Sequence, residues 1–280
     1  MSPGAPTAGS LLGAWTFDGL TVTALAVPAA LYLVGALRLR GRWPRVRTCS
    51  FMAGVLVLAL ALLSGIDAYA DRLLSVHMVQ HLLLMLVAPA LLVWAAPLRM
   101  LLIARPPAAR RVARRLGRSR TLRVLMSPSV GLIVFAVAVL GSHLSGLFEL
   151  ALRDRTVHLL EHCLYVAAGL LLLAPLIGAD PLPRRIGPIA RLCWMLGAMV
   201  VMAVPGALLT FDPSVRYRFY VAPARALGVS ALSDEHIAGV IMWVGGGAVM
   251  LTIALVIAMR AMVAEERRQR RRERYEAVRA

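Results

Sequence analysis

SVHMVQHLLLMLVAPALLVWAAPLR, residues 75–99, is an apolar run long enough to cross a bilayer, and its first turn carries His77 and His81. Four residues apart, the two imidazoles stack on one face of a helix. Ionisable side chains at membrane depth are costly and mark functional positions. The spacing recurs at His158 and His162, in HLLEH at the head of another apolar run. Two such pairs point to a metal or cofactor site held between helices.

Composition fixes the class around these runs. Of 280 residues, 60% are hydrophobic and the mean hydropathy is +0.75. That is more apolar surface than a soluble core of this size can hide, so the chain reads as an all-α, polytopic membrane bundle. A net charge of +17 would point to nucleic acid in a soluble protein. Here the arginines fall in blocks between apolar runs, so they read as topology signals and no nucleic-acid partner is expected.

Seven spans are expected, at about residues 20–37, 51–66, 75–97, 124–147, 157–177, 189–209 and 235–259. Pro89 should free a backbone carbonyl one turn earlier and kink the third span. Pro205-Gly206 interrupts the sixth, and Gly245, Gly246 and Gly247 permit close helix approach in the seventh. With seven spans, 25 of the 31 arginines fall on one side, which places the amino terminus outside and the tail in the cytoplasm. The expected organisation is an extracytoplasmic segment (1–19), a seven-helix domain (20–260) and a basic cytoplasmic tail (261–280). The opening residues lack a basic region followed by a short apolar core, so the first span should act as an uncleaved anchor. The nine-arginine segment 99–123 is expected to form a cytoplasmic loop with an amphipathic helix on the headgroups. Tyr217, Phe219 and Tyr220 read as an interfacial aromatic belt or a docking face.

On this topology His77 and His81 open the third span, His143 closes the fourth, His158 and His162 open the fifth and His236 opens the seventh. All six histidines then lie at the outer ends. Nine of the fourteen acidic residues share that side, Asp67, Asp71, Glu161 and Asp234 among them, which suits a cation. Neutral imidazole serves copper, zinc, iron and nickel, while the softer donors Met78, Met85 and Cys163 tilt the balance to Cu(I). Copper is the first choice, with zinc and haem behind it. Glu161 is expected to orient a histidine ring and tune its basicity, with Asp234 beside the site.

Other readings stand beside this one. Taken singly, His143 and His236 fit hydrogen-bonded residues at headgroup level. A methionine in an apolar helix is ordinarily gap filler, and Cys49, Cys163 and Cys193 fit small buried apolar residues. The motif His158-Leu159-Leu160-Glu161-His162 has the form of an inverted zincin, which makes an intramembrane zinc hydrolase an alternative. Histidines on facing helices also suit axial haem ligation. A scaffold with structural histidines is a further alternative.

Four segments carry a family resemblance: HMVQHLLLMLVAP (77–89), ALRDRTVHLLEH (151–162), GADP (178–181) and DEHIAGVIMW (234–243). They resemble the CtaG family of multi-span bacterial cytochrome c oxidase assembly factors, over nearly the whole chain. The resemblance implies a non-enzymatic, multi-pass plasma-membrane protein that matures a haem-copper oxidase by handling copper. Its implied partners are oxidase subunits and an extracytoplasmic copper chaperone, and the family's histidine positions carry over to His77, His81, His143, His158 and His162. Two positions depart. His143-Leu144-Ser145 stands where relatives read His-x-Pro, and Glu235 and His236 stand where relatives have glutamines.

Overall fold

Apolar runs that meet lipid have to satisfy their backbone polar groups internally, and here they do so as helices. The computed structural model describes residues 7–39, 41–104, 119–180 and 186–279. Its long helices are α1 (Gly19–Arg38), α2 (Arg45–Leu63), α3 (Leu74–Ala104), α4 (Pro128–Leu144), α5 (Arg155–Ile177), α6 (Pro188–Phe211) and α7 (Ala231–Ala277). Six are long and apolar enough to cross a membrane, and α4 adds a seventh when counted with Leu147–Arg153, to which it is bent by 75°. Residues 105–118, where the headgroup helix was expected, and Pro181 of the GADP segment lie outside the described residues.

Local chemistry sets several boundaries. Asp18 caps α1 by accepting from the backbone of Leu20 and Thr21, and Ser127 with Pro128 opens α4 in the arrangement that favours a helix start. The expected fourth run of about residues 124–147 is divided. Arg120–Leu125 is a separate short helix, and α4 ends where Ser145 turns extended and its hydroxyl bonds back to the Gly141 carbonyl.

α3 and α5 form the centre. Only Tyr32 is buried along α1, which therefore sits on the perimeter, whereas α5 buries Glu161, His162, Tyr165, Ala168, Gly169 and Leu172 on one stripe. Pro89 has no N–H to give the Met85 carbonyl. Instead of a sharp kink, a π turn at Leu83–Val87 absorbs the proline, and the helix runs on to Trp94 before breaking at Ala96, whose φ is +52°. Gly169 packs directly on the Met85 carbonyl: a Cβ there would stand 2.0 Å from that oxygen and 2.8 Å from Pro89 Cγ. That contact draws together the two helices that carry the histidine pairs. In α7, Gly246 is the tight member of the glycine run, with a Cβ position 2.3 Å from Met202 Sδ. The helix then continues through the basic tail without a break.

Candidate metal centre

The first turn of α3 has no capping side chain of its own. Asp234, from α7, does that work across the bundle, accepting from Leu74 N (2.6 Å), Ser75 N (3.4 Å) and the Ser75 hydroxyl. A carboxylate at a helix N-terminus also opposes the positive end of the helix dipole. The histidine helix is thereby pinned at its head.

One turn in, His77 is oriented by Tyr220. The tyrosine hydroxyl donates to the Ala70 carbonyl (3.0 Å) and, at 2.8 Å, accepts from His77 Nδ1. The Nε2 lone pair of His77 then faces His81 Nε2 at 2.7 Å. At that distance His81 donates Nε2–H to His77, and since two nitrogens on one tetrahedral ion stand about 3.3 Å apart, a small separation of the rings would let a cation take the proton's place. Across from them, the His158 and His162 ring centroids are 4.2 Å apart, and His158 lies 5.3 Å from His77. His162 lies 6.1 Å from His81.

Ligand atoms of His77, His158 and His162 all lie within 4.8 Å of one another, as do those of His77, His81 and Glu161. His77 belongs to both groups. Four imidazoles and one carboxylate therefore converge from two helices. Among the described residues Glu161 makes no hydrogen bond to a histidine ring: its Oε1 accepts from Tyr165 (3.1 Å), and its Oε2 is buried without a partner. The same is true of His81 Nδ1, His158 Nε2, His162 Nε2 and His143 Nε2. Buried lone pairs of this kind are costly unless they meet a donor or a cation.

His143 stands at the edge. It must donate Nδ1–H to the Val139 carbonyl (3.0 Å), which leaves Nε2 bare, and its ring lies 6.1 Å from His81. Ser142 bonds Tyr165 (2.6 Å) and so ties α4 to Glu161 through one hydroxyl pair. Phe148, fully buried in the short helix after the bend, covers the cluster: its ring is 5.1 Å from His77, 5.3 Å from His143 and 4.7 Å from Tyr217.

Several expected members lie elsewhere. His236 turns away, its Nε2–H donating to the Asp212 carbonyl at 2.9 Å, so it fastens the loop before α7. Cys163 is exposed on the bundle perimeter, because one residue past His162 is about 100° around the helix. Cys49 and Cys193 are exposed too, which corrects the expectation of buried cysteines. Met78 and Met85 belong to the main hydrophobic core. Tyr217 and Tyr220 point inwards, at 4% and 2% exposure, and are not belt residues. The roles of Tyr220, Tyr165 and Phe148 had no signal in spacing, since each reaches the histidines through the fold.

The model of the cytochrome c oxidase caa3 assembly factor family matches residues 30–264, which include both histidine pairs. The chain belongs to this family. An uncharacterized protein of Mycobacterium bovis is 31% identical over 281 residues, covering 96% of this chain and 42% of its own length. One from Mycobacterium leprae is 28% identical over 266 residues, covering 91% of this chain and 40% of its own. The chain thus spans about two fifths of the length of the curated relatives it matches. No solved structure matches. The family is described as one of assembly factors for the caa3-type cytochrome c oxidase, and the apolar helices of this chain suit a multi-pass membrane protein.

Proposed function

We propose that this assembly factor binds copper at the histidine cluster and hands it to an oxidase subunit, with an extracytoplasmic copper chaperone as the source. The observation that carries the proposal is the convergence of His77, His81, His158, His162 and Glu161 in a buried cluster where His81 Nδ1, His158 Nε2, His162 Nε2 and Glu161 Oε2 have no partner among the described residues. Neutral imidazoles and a carboxylate offer a cation ligands and give an anion nothing. With Cys163 outside and the methionines in the core, the donors are nitrogen and oxygen. Such a set ranks copper above zinc by the ordinary affinity order and serves Cu(II) as readily as Cu(I). The arginine distribution orients the cluster to the outer face of a bacterial plasma membrane, with the tail in the cytoplasm. The role is transport of an ion, without turnover of a substrate.

Metal analysis of the purified protein from copper-replete cells tests this. Near-stoichiometric copper is expected in the wild type and in His236→Ala, and its loss in the double variant His77→Ala, His81→Ala. Unchanged copper in the double variant would reject the site. A Soret band, or tightly held zinc with turnover that Glu161→Gln abolishes, would replace the reading with haem binding or hydrolysis.

A further inference from the structure

At the end of the bundle opposite the histidines, α2, α3 and α7 border a groove of about 470 Å³. Its walls are apolar, with Ala53, Ala90, Leu91, Ile253 and Val256 along its length and Trp94 near one end. All of these belong to membrane-spanning segments. The end at Trp94 is cationic. The Arg260 guanidinium lies 3.5 Å above the Trp94 ring, and Arg47, next to the groove residue Val46, stacks on Trp43 at 5.2 Å.

Neither arginine has an ion pair among the described residues. Arg47 Nη1 is shielded from solvent and has no hydrogen-bond partner there. The two guanidiniums are near enough to feel each other's charge. Asp180 is the acidic group that Arg47 faces, but its carboxylate is engaged by the Arg99 backbone N–H at 2.7 Å. Further along α7, Arg267 and Arg271 continue the face of Arg260 and line a second cleft with Val263 and Ala264. Arg47, Arg260, Arg267 and Arg271 thus bring four cations to this end of the apolar slot, with Asp180 beside Arg47 as the acidic group against them.

We propose that the groove binds an anionic phospholipid, with an acyl chain in the slot and the phosphate held by Arg47 and Arg260. A slot walled by spanning helices opens onto hydrocarbon, so its natural occupant is a lipid chain. Planar guanidinium forks match phosphate oxygens bidentately. A polybasic segment immediately beyond a span is attracted to anionic headgroups. A zwitterionic lipid offers the same phosphate but brings its own cation into a site already crowded with positive charge. The lipid would fasten α7 to α2 and α3 and hold the arginine end in its leaflet.

Native mass spectrometry of the full chain in detergent tests this, with phosphatidylglycerol and phosphatidylcholine of identical acyl chains. At roughly fivefold per guanidinium, phosphatidylglycerol should be retained about 25-fold better. The double variant Arg47→Gln, Arg260→Gln should bring the two lipids near parity. Ala53→Phe, or Val256→Trp if that variant loses its helical circular dichroism, should lower retention of both lipids by filling the slot. Equal retention by the wild type, an unchanged preference in the double variant, or full retention after the slot is filled would overturn the proposal. So would equal binding of glycerol 3-phosphate alone, or a dimer of this chain that forms in place of lipid uptake.

Discussion

Replacing Gly169 by alanine tests how the two histidine helices are held. The new Cβ would stand 2.0 Å from the Met85 carbonyl oxygen, where an ordinary contact begins at 3.4 Å. The obstacle is backbone, so no side chain can swing aside, and α3 and α5 have to part by about 1.4 Å. Overpacking of this severity costs about 3 kcal/mol, offset by about 1 kcal/mol from the better helix propensity of alanine. A net loss of about 2 kcal/mol corresponds to a Tm lower by about 5 °C. Parting the helices also stretches ligand groups that now lie within 4.8 Å. Two ligands of one ion are at most about 4.2 Å apart, so copper affinity should fall by about tenfold or more. Thermal unfolding in detergent and competition against a copper chelator read the two effects. Gly141→Ala is the control: it lies on α4 close to His143 with nothing within 4 Å of its Cβ position, so it should stabilise slightly and leave copper binding intact. A Gly169→Ala protein with wild-type Tm and copper affinity would refute the argument.

Three further outcomes are expected. Tyr220→Phe removes the hydroxyl that fixes His77, and chelator competition should show copper affinity lower by about tenfold with the fold unchanged. Asp234→Ala strips the head of α3 of its cap, which should cost about 2 kcal/mol in denaturant unfolding and weaken copper binding with it. Burial raises the Asp67 carboxyl above its ordinary range, against the lowering effect of the Gln80 hydrogen bond. The folded state therefore holds that proton more tightly than the unfolded chain, so the contribution of Asp67 to stability is full below about pH 3.9 and is lost as pH rises through the folded value. Asp67→Asn should raise Tm at pH 7 and lose that gain by pH 4.

The spans and both histidine pairs were legible because their signals are local: hydropathy over a window, and the i,i+4 repeat that stacks side chains. Cys163, expected as a soft donor beside the second pair, is one residue past His162 and so about 100° around the helix, and the structure leaves it exposed. What was not legible depends on contacts between distant segments. Glu161 read as an orienting group, yet its position facing His77 and His81 follows from the Gly169 contact with Met85, which no spacing within α5 reveals. Tyr220 looked like a belt residue because aromatic residues near a span end ordinarily are. Its burial against Ala70 and His77 comes from the loop after α6 folding inwards. His236 shared the end of the bundle with the other histidines but not their direction, since a free carbonyl at Asp212 claimed it first.

Phe148 has a consequence for traffic. It closes one flank of the cluster, while His77, His81 and His162 are buried and His158 alone of these four is only partly so. Of these four rings that of His158 is thus the nearest to the surface, and an ion bound as proposed would enter beside it. If the site carries copper as proposed, a protein docked beside His158 to load it would also stand in the way of its discharge.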